Sequence, residues 1–136
     1  MLANGSCLCG GVKYEISDGL GDITHCHCPT CRKAHGAAFS SVAAVDIENF
    51  KFTSGKDLLK SYESSPGKTR HFCSNCGSQI YAHRAAQNHY ILRLGTLDDA
   101  PLMKTKEHIW ISQKAAWYDV HASSVLPQYD EWSDDT

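Results

Sequence analysis

Seven cysteines in three tight groups limit what this chain can fold into. They fall as Cys7-Leu8-Cys9, Cys26-His27-Cys28-Pro29-Thr30-Cys31 and Cys73-Ser74-Asn75-Cys76. A disulfide framework fits poorly, because the count is odd and a Cys-x-Cys pair bridges only with strain. The opening residues, Met1 to Ser6, carry no basic segment followed by an apolar stretch, so a reducing, cytoplasmic setting is expected. Grouped thiols in such a setting read as metal ligands or redox centres.

The third group follows Phe72 and runs into Gly77, which makes it a zinc-knuckle pattern. Such a turn points two thiolates at one metal, backbone amides donate to the sulfurs, and glycine permits the conformation that closes it. A closed tetrahedral site needs four ligands. Cys7 and Cys9 are the obvious second pair, with Gly10-Gly11 letting the chain turn away. Cys7, Cys9, Cys73 and Cys76 are therefore expected to hold a structural zinc.

The middle group leaves Cys26, Cys28 and Cys31 with no fourth cysteine. Three protein ligands plus an open position is the pattern of a reactive zinc, which acts as a Lewis acid or holds an exogenous thiol as its thiolate. The alternative is a second structural site closed by His25, His27 or His35. A redox switch built on three clustered thiolates is a third reading. Arg32 and Lys33 follow Cys31 directly. They are candidates for offsetting the site's charge or binding a carboxylate-bearing substrate, or else they are solvated helix residues.

The remainder reads as one zinc-binding domain over residues 1–136, mostly β, with residues 130–136 a frayed acidic tail. At 42% hydrophobic and 21% charged, the composition is that of a soluble globular chain. No apolar run approaches the roughly 20 residues that span a bilayer. The net charge of −2 gives no electrostatic reason to expect nucleic acid or an anionic membrane as partner.

Alternation predicts a strand at Val12 to Ile16, and the uncharged run Ala38 to Val45, bounded by Gly36 and Asp46, is also strand-like. Leu59 to Glu63 and Thr69 to Phe72 flank Ser64-Ser65-Pro66-Gly67, whose central Pro-Gly is type II turn chemistry, so they form a hairpin. Ser78 to Ala82 and His89 to Leu94 form another pair. His108 to Ile111 and Trp117 to Val120 are two further short strands. Pro29 to His35, with Gly36 as a stop, predicts one or two helical turns, and Leu97 to Ala100 a second. Trp110, Trp117 and Tyr118 read as core and pocket-wall residues.

Three segments match a known family in order and spacing: Gly5 to Tyr14 with its Cys-x-Cys-Gly-Gly, Cys26 to Lys33, and Phe72 to Ser78. The chain resembles the glutathione-dependent formaldehyde-activating enzymes, a family that includes centromere protein V. His108-Ile109-Trp110 is similar to another recurring segment. The resemblance implies a zinc-stabilised β-tent of short antiparallel sheets with one or two short helical turns. It assigns Cys7, Cys9, Cys73 and Cys76 to a structural zinc, and Cys26, Cys28 and Cys31 to a second, catalytic-type zinc.

The implied activity is that of a carbon–sulfur lyase resembling S-(hydroxymethyl)glutathione synthase. Its substrate is a glutathione or other thiol adduct of formaldehyde or a small aldehyde. Glutathione sulfur would take the open position, and a polar neighbour would pass a proton to the hemithioacetal oxygen. His27, between two ligands, and His108, heading the His-Ile-Trp segment, are the proton-carrier candidates. Alternation could instead turn His27 away from the metal, and His108 could be a packed strand histidine. The functional alternative is a non-catalytic zinc-binding module for protein interaction or thiol sensing.

Overall fold

A computed structural model describes residues 3–122 and 125–133. Among them ten strands and one α-helix follow in the order β1 Ala3–Ser6, β2 Lys13–Ile16, β3 Ile23–Cys26, α1 Pro29–His35, β4 Ser40–Asp46, β5 Phe50–Ser54, β6 Leu59–Ser65, β7 Lys68–Cys73, β8 Gln79–Arg84, β9 His89–Arg93 and β10 Thr105–Ile109. Two sheets result. The smaller runs β1-β2-β5 and the larger β10-β3-β4-β9-β8-β7-β6. The mostly β, tent-like architecture is as expected. The strand pairs are antiparallel except β10, which runs parallel to β3.

The hairpin between β6 and β7 forms as the sequence predicts. Ser65 pairs with Lys68, and Gly67 adopts φ +77°, the left-handed value that position of a type II turn requires. The helix also matches. Cys28 caps it by accepting from the Cys31 amide, Pro29 opens it, and Gly36 ends it.

Four expectations differ. Trp117 to Val120 is not a strand: Tyr118 N donates to Ala115 O in a turn, and Lys114 Nζ donates to Tyr118 O, with no strand among the described residues pairing there. Trp117 is 73% exposed rather than core. The helical turn expected at Leu97 to Ala100 begins three residues earlier, as a 3-10 turn at Leu94–Thr96, while Leu97 is held in a bridge with Gly5. The last strand begins three residues before His108. Residues 130–132 are exposed and lack regular structure, and the rest of the acidic tail, 134–136, lies outside the described residues.

The core fills the space between the sheets. Val12, Tyr14 and Ile16 from the small sheet side meet Val45, Ile80, Tyr81 and Leu92 from the large one. Burying each of the large aliphatic side chains contributes about 1.5–3 kcal/mol. Gly5 on β1 is fixed by this packing, since a Cβ there would sit 2.1 Å from the Tyr14 ring. Tyr14 in turn bonds Thr96 Oγ1 at 2.6 Å.

Alternation along the large sheet decides what lies on its other face. On β9, Tyr90 and Leu92 pack with the core, so Ile91 and Arg93 point away from it. On β7, His71 stacks on Tyr81 at 4.3 Å, so Lys68 and Arg70 point away. The same face carries Cys26 from β3.

Candidate metal centres

The first cysteine cluster closes where the two sheets meet. Cys7 and Cys9 lie on the turn after β1, and Cys73 and Cys76 at and beyond the end of β7. Their four sulfurs all lie within 4.8 Å of one another. Cys7 and Cys9 sulfurs are 3.5 Å apart, and Cys9 and Cys73 sulfurs 3.9 Å. Tetrahedral zinc with bonds of about 2.3 Å spaces its sulfurs by roughly 3.8 Å, so these residues fit that metal.

Backbone geometry sets the sulfurs. Gly77 takes φ +80° and donates to Cys73 O, while Val12 N donates to Cys7 Sγ at 3.2 Å. Ser78 Oγ accepts from Leu8 N at 3.0 Å and lies 3.4 Å from Cys76 Sγ. Its hydroxyl, then the neighbouring amides, hold the Cys76 thiol down to about 5. A low thiol favours the thiolate that a metal needs.

Cys26, Cys28 and Cys31 form the second cluster, again with all sulfurs within 4.8 Å. The last residue of β3, the cap of α1 and the buried residue of α1 converge because Pro29 starts the helix immediately. Among the described residues no histidine or carboxylate joins the three sulfurs in that cluster. Cys31 is held low, first by its contact with Cys26 and also by the Arg70 guanidinium, whose Nη2 lies 3.7 Å away. The donor set fits zinc with a position left over.

Cys26, Cys28 and Cys31 line a cavity of about 500 Å³. Val42, Ile91, Ile109 and Trp110 give it an apolar wall. Trp110 has φ +57°, the one positive value on a non-glycine among the described residues, and such strain is retained where a side chain must be aimed. Beside these residues the lining is basic, made by Lys68, Arg70, Arg84 and Arg93. Burial, then Arg70, pulls the Arg93 guanidinium down to about 10. Burial, then Arg70, lowers Lys68 as well.

Residues 2–113 match the model of the glutathione-dependent formaldehyde-activating enzymes. The chain belongs to this family. A Halomonas elongata protein provisionally named as such an enzyme is 25% identical over 131 residues, 90% of this chain and 83% of that one. A Fusarium vanettenii protein of the same provisional name is 32% identical over 78 residues, 55% of this chain and 41% of that one. An uncharacterized lyase of Schizosaccharomyces pombe is 24% identical, with 93% of this chain and 91% of that one covered. In fold, the chain is similar to a Rhodobacter sphaeroides protein of known crystal structure. The TM-score is 0.60 at 20% identity, covering 76% of this chain and 99% of that one.

The histidine candidates lie elsewhere. His25 pairs with His108 across β3 and β10, while Cys26 pairs with Ile109, so the histidines occupy the face opposite the sulfurs. His27 is wholly buried, and its Nε2 shares a hydrogen bond with His108 Nδ1 at 2.8 Å. Burial, then His108, keeps His27 below its ordinary value. Phe39 and Tyr118 pack around the pair. Neither ring lines the cavity.

Arg32 donates from Nη2 to Gln113 O at 3.3 Å. Lys33 is exposed and lines a neighbouring groove with Tyr62 and Phe72. The cations at the sulfurs are those of β7, β8 and β9. Sequence reading missed them, although one signal was present: Lys68, Arg70, Arg84 and Arg93 are charges set into strands otherwise rich in buried residues.

Proposed function

We propose that this chain is a zinc-dependent carbon–sulfur lyase acting on the adduct of a thiol, such as glutathione, with formaldehyde or another small aldehyde. One observation carries the reading: three cysteine sulfurs lie at the wall of a cavity, with no fourth donor among the described residues. The four-sulfur cluster, by contrast, is complete and ties the two sheets together. Cys26, Cys28 and Cys31 would hold zinc, which when bound would supply an open Lewis-acid position favouring the thiolate form of an incoming thiol.

The chain's own residues do the rest. The α1 cap fixes Cys28 against Cys31, and Arg70 beside Cys31 offsets negative charge. Ile91, Ile109 and Trp110 give the reacting carbon an apolar surface to lie against. In the forward direction sulfur bonds to the carbonyl carbon and the carbon–oxygen π bond opens. The new oxygen then takes a proton, for which the cavity offers the Lys68 ammonium, lowered by burial and so readier to donate. The reverse breaks the same carbon–sulfur bond.

Cys28→Ser and Cys76→Ser test this together. Cys28→Ser should stay folded, lose one of two zinc ions and lose turnover. Cys76→Ser should lose the fold, because structural zinc contributes folding free energy directly. Normal turnover by Cys28→Ser would leave the non-catalytic zinc-binding module as the better reading.

A further inference from the structure

Three thiolates and an apolar wall leave two arginines unexplained. Arg70 and Arg93 are 3% and 5% exposed. Even so, Arg70 Nη1, Arg93 Nε and Arg93 Nη2 are buried with no hydrogen-bond partner among the described residues. Burying a guanidinium with its donors unmet is costly unless something else meets them. Arg70 gives Nε to Ser64 Oγ at 3.0 Å and Nη2 to Cys31 Sγ, which leaves Nη1 unmet in a residue that lines the cavity, as Arg93 does.

Charge makes the same point. Lys68 and Arg84 join the two arginines on the cavity wall, and no aspartate or glutamate among the described residues lines it. A divalent metal on three thiolates leaves a single negative charge, too little to balance this wall. The surplus suits an anion brought from outside.

We propose that Arg70 and Arg93 form a carboxylate subsite beside the three-thiolate centre, so that the aldehyde handled there is a small 2-oxo acid of the glyoxylate type. This rests on the carbon–sulfur reading above and names its substrate class. A guanidinium fork matches a carboxylate in a planar, two-bond fit. Because Arg70 touches the Cys31 sulfur, a carboxylate it holds lies next to any sulfur that joins the thiolates. In a thiol adduct of glyoxylate the carboxylate hangs on the reacting carbon itself. The carboxylates of glutathione sit several bonds further from its sulfur and suit the outer cavity.

The chemistry balances without oxidant or reductant. The thiol sulfur bonds to the aldehyde carbon, the carbon–oxygen π bond opens, and the proton given up by the thiol ends on the new hydroxyl. The carboxylate is unchanged throughout and serves as the handle.

Calorimetric titration of the zinc-loaded full chain with glyoxylate and with its neutral methyl ester tests the subsite. Glyoxylate should bind saturably and at least tenfold tighter than the ester. Arg93→Gln should lower glyoxylate affinity tenfold or more with zinc content and melting temperature unchanged, and Arg93→Lys should recover part of the loss. Equal binding of acid and ester, or wild-type affinity in Arg93→Gln, would overturn the proposal and leave the arginines as neutralisers of the thiolates. If Arg93→Gln fails to fold, the acid–ester comparison on the wild type still decides. Turnover of the formaldehyde–glutathione adduct on the same preparation separates the two readings. Turnover without carboxylate preference sinks the subsite and keeps the lyase. Carboxylate preference without turnover of either adduct supports the subsite and sinks the lyase.

Discussion

Arg70 Nη2 lies 3.7 Å from Cys31 Sγ, and both side chains are almost wholly buried. Their contact joins the seventh strand to the helix that carries one of the three cavity cysteines and is capped by another. Removing the charge should therefore weaken the metal centre more than the fold. Arg70→Gln is expected to lower zinc affinity at the three-thiolate site roughly 10- to 100-fold, the usual loss when a group bonded to a ligand is removed. The four-thiolate site should keep its metal. Competition with a chromophoric chelator reads both, and unchanged affinity at the weaker site would count against this contact.

His108 gives the opposite expectation. Its partner is His27, on the sheet face away from the sulfurs. His108→Ala should leave turnover within a factor of a few, while stability falls by about 1–3 kcal/mol because His27 Nε2 loses its hydrogen bond in a buried place. Urea unfolding and steady-state rates measure the two effects. A large loss of rate with stability intact would return His108 to the reaction.

How much of this could be read from the chain beforehand depended on distance in sequence. The cysteine groups, the Pro29 helix and the Pro66-Gly67 hairpin are local patterns, and each forms as written. β1 was not legible, because Ala3-Asn4-Gly5-Ser6 has no strand character of its own. It is a strand because it pairs with β2, and because Gly5 leaves room for the Tyr14 ring. The mistaken strand at Trp117 to Val120 shows the converse, aromatic and β-branched residues with no partner to pair. Arg70 and Arg93 were missed for a similar reason. They meet only because β8 stands between β7 and β9 in the sheet and places both on the same face.

Acid should weaken the fold through His35. Burial first, then Arg93, pushes this histidine down to about 4, against an opposing pull from Cys31. Its Nε2 is buried without a partner, as suits a neutral ring. Because the folded value lies below the ordinary 6.5, its contribution to stability is fully present above about pH 6.5. It is lost as the pH falls from there through about 4. Melting temperature should thus drop over that window more steeply in wild type than in His35→Gln. Parallel curves would show that His35 is not the group responsible.

Cobalt substitution followed by titration with glutathione addresses the metal centres most directly. Cobalt reports its coordination by colour, and each bound thiolate adds a charge-transfer band. Two cobalt ions per chain are expected, one with a fixed four-thiolate spectrum and one whose spectrum gains thiolate character as glutathione is added. Two ions that both ignore glutathione, or a single ion per chain, would contradict an open thiol-accepting centre at Cys26, Cys28 and Cys31.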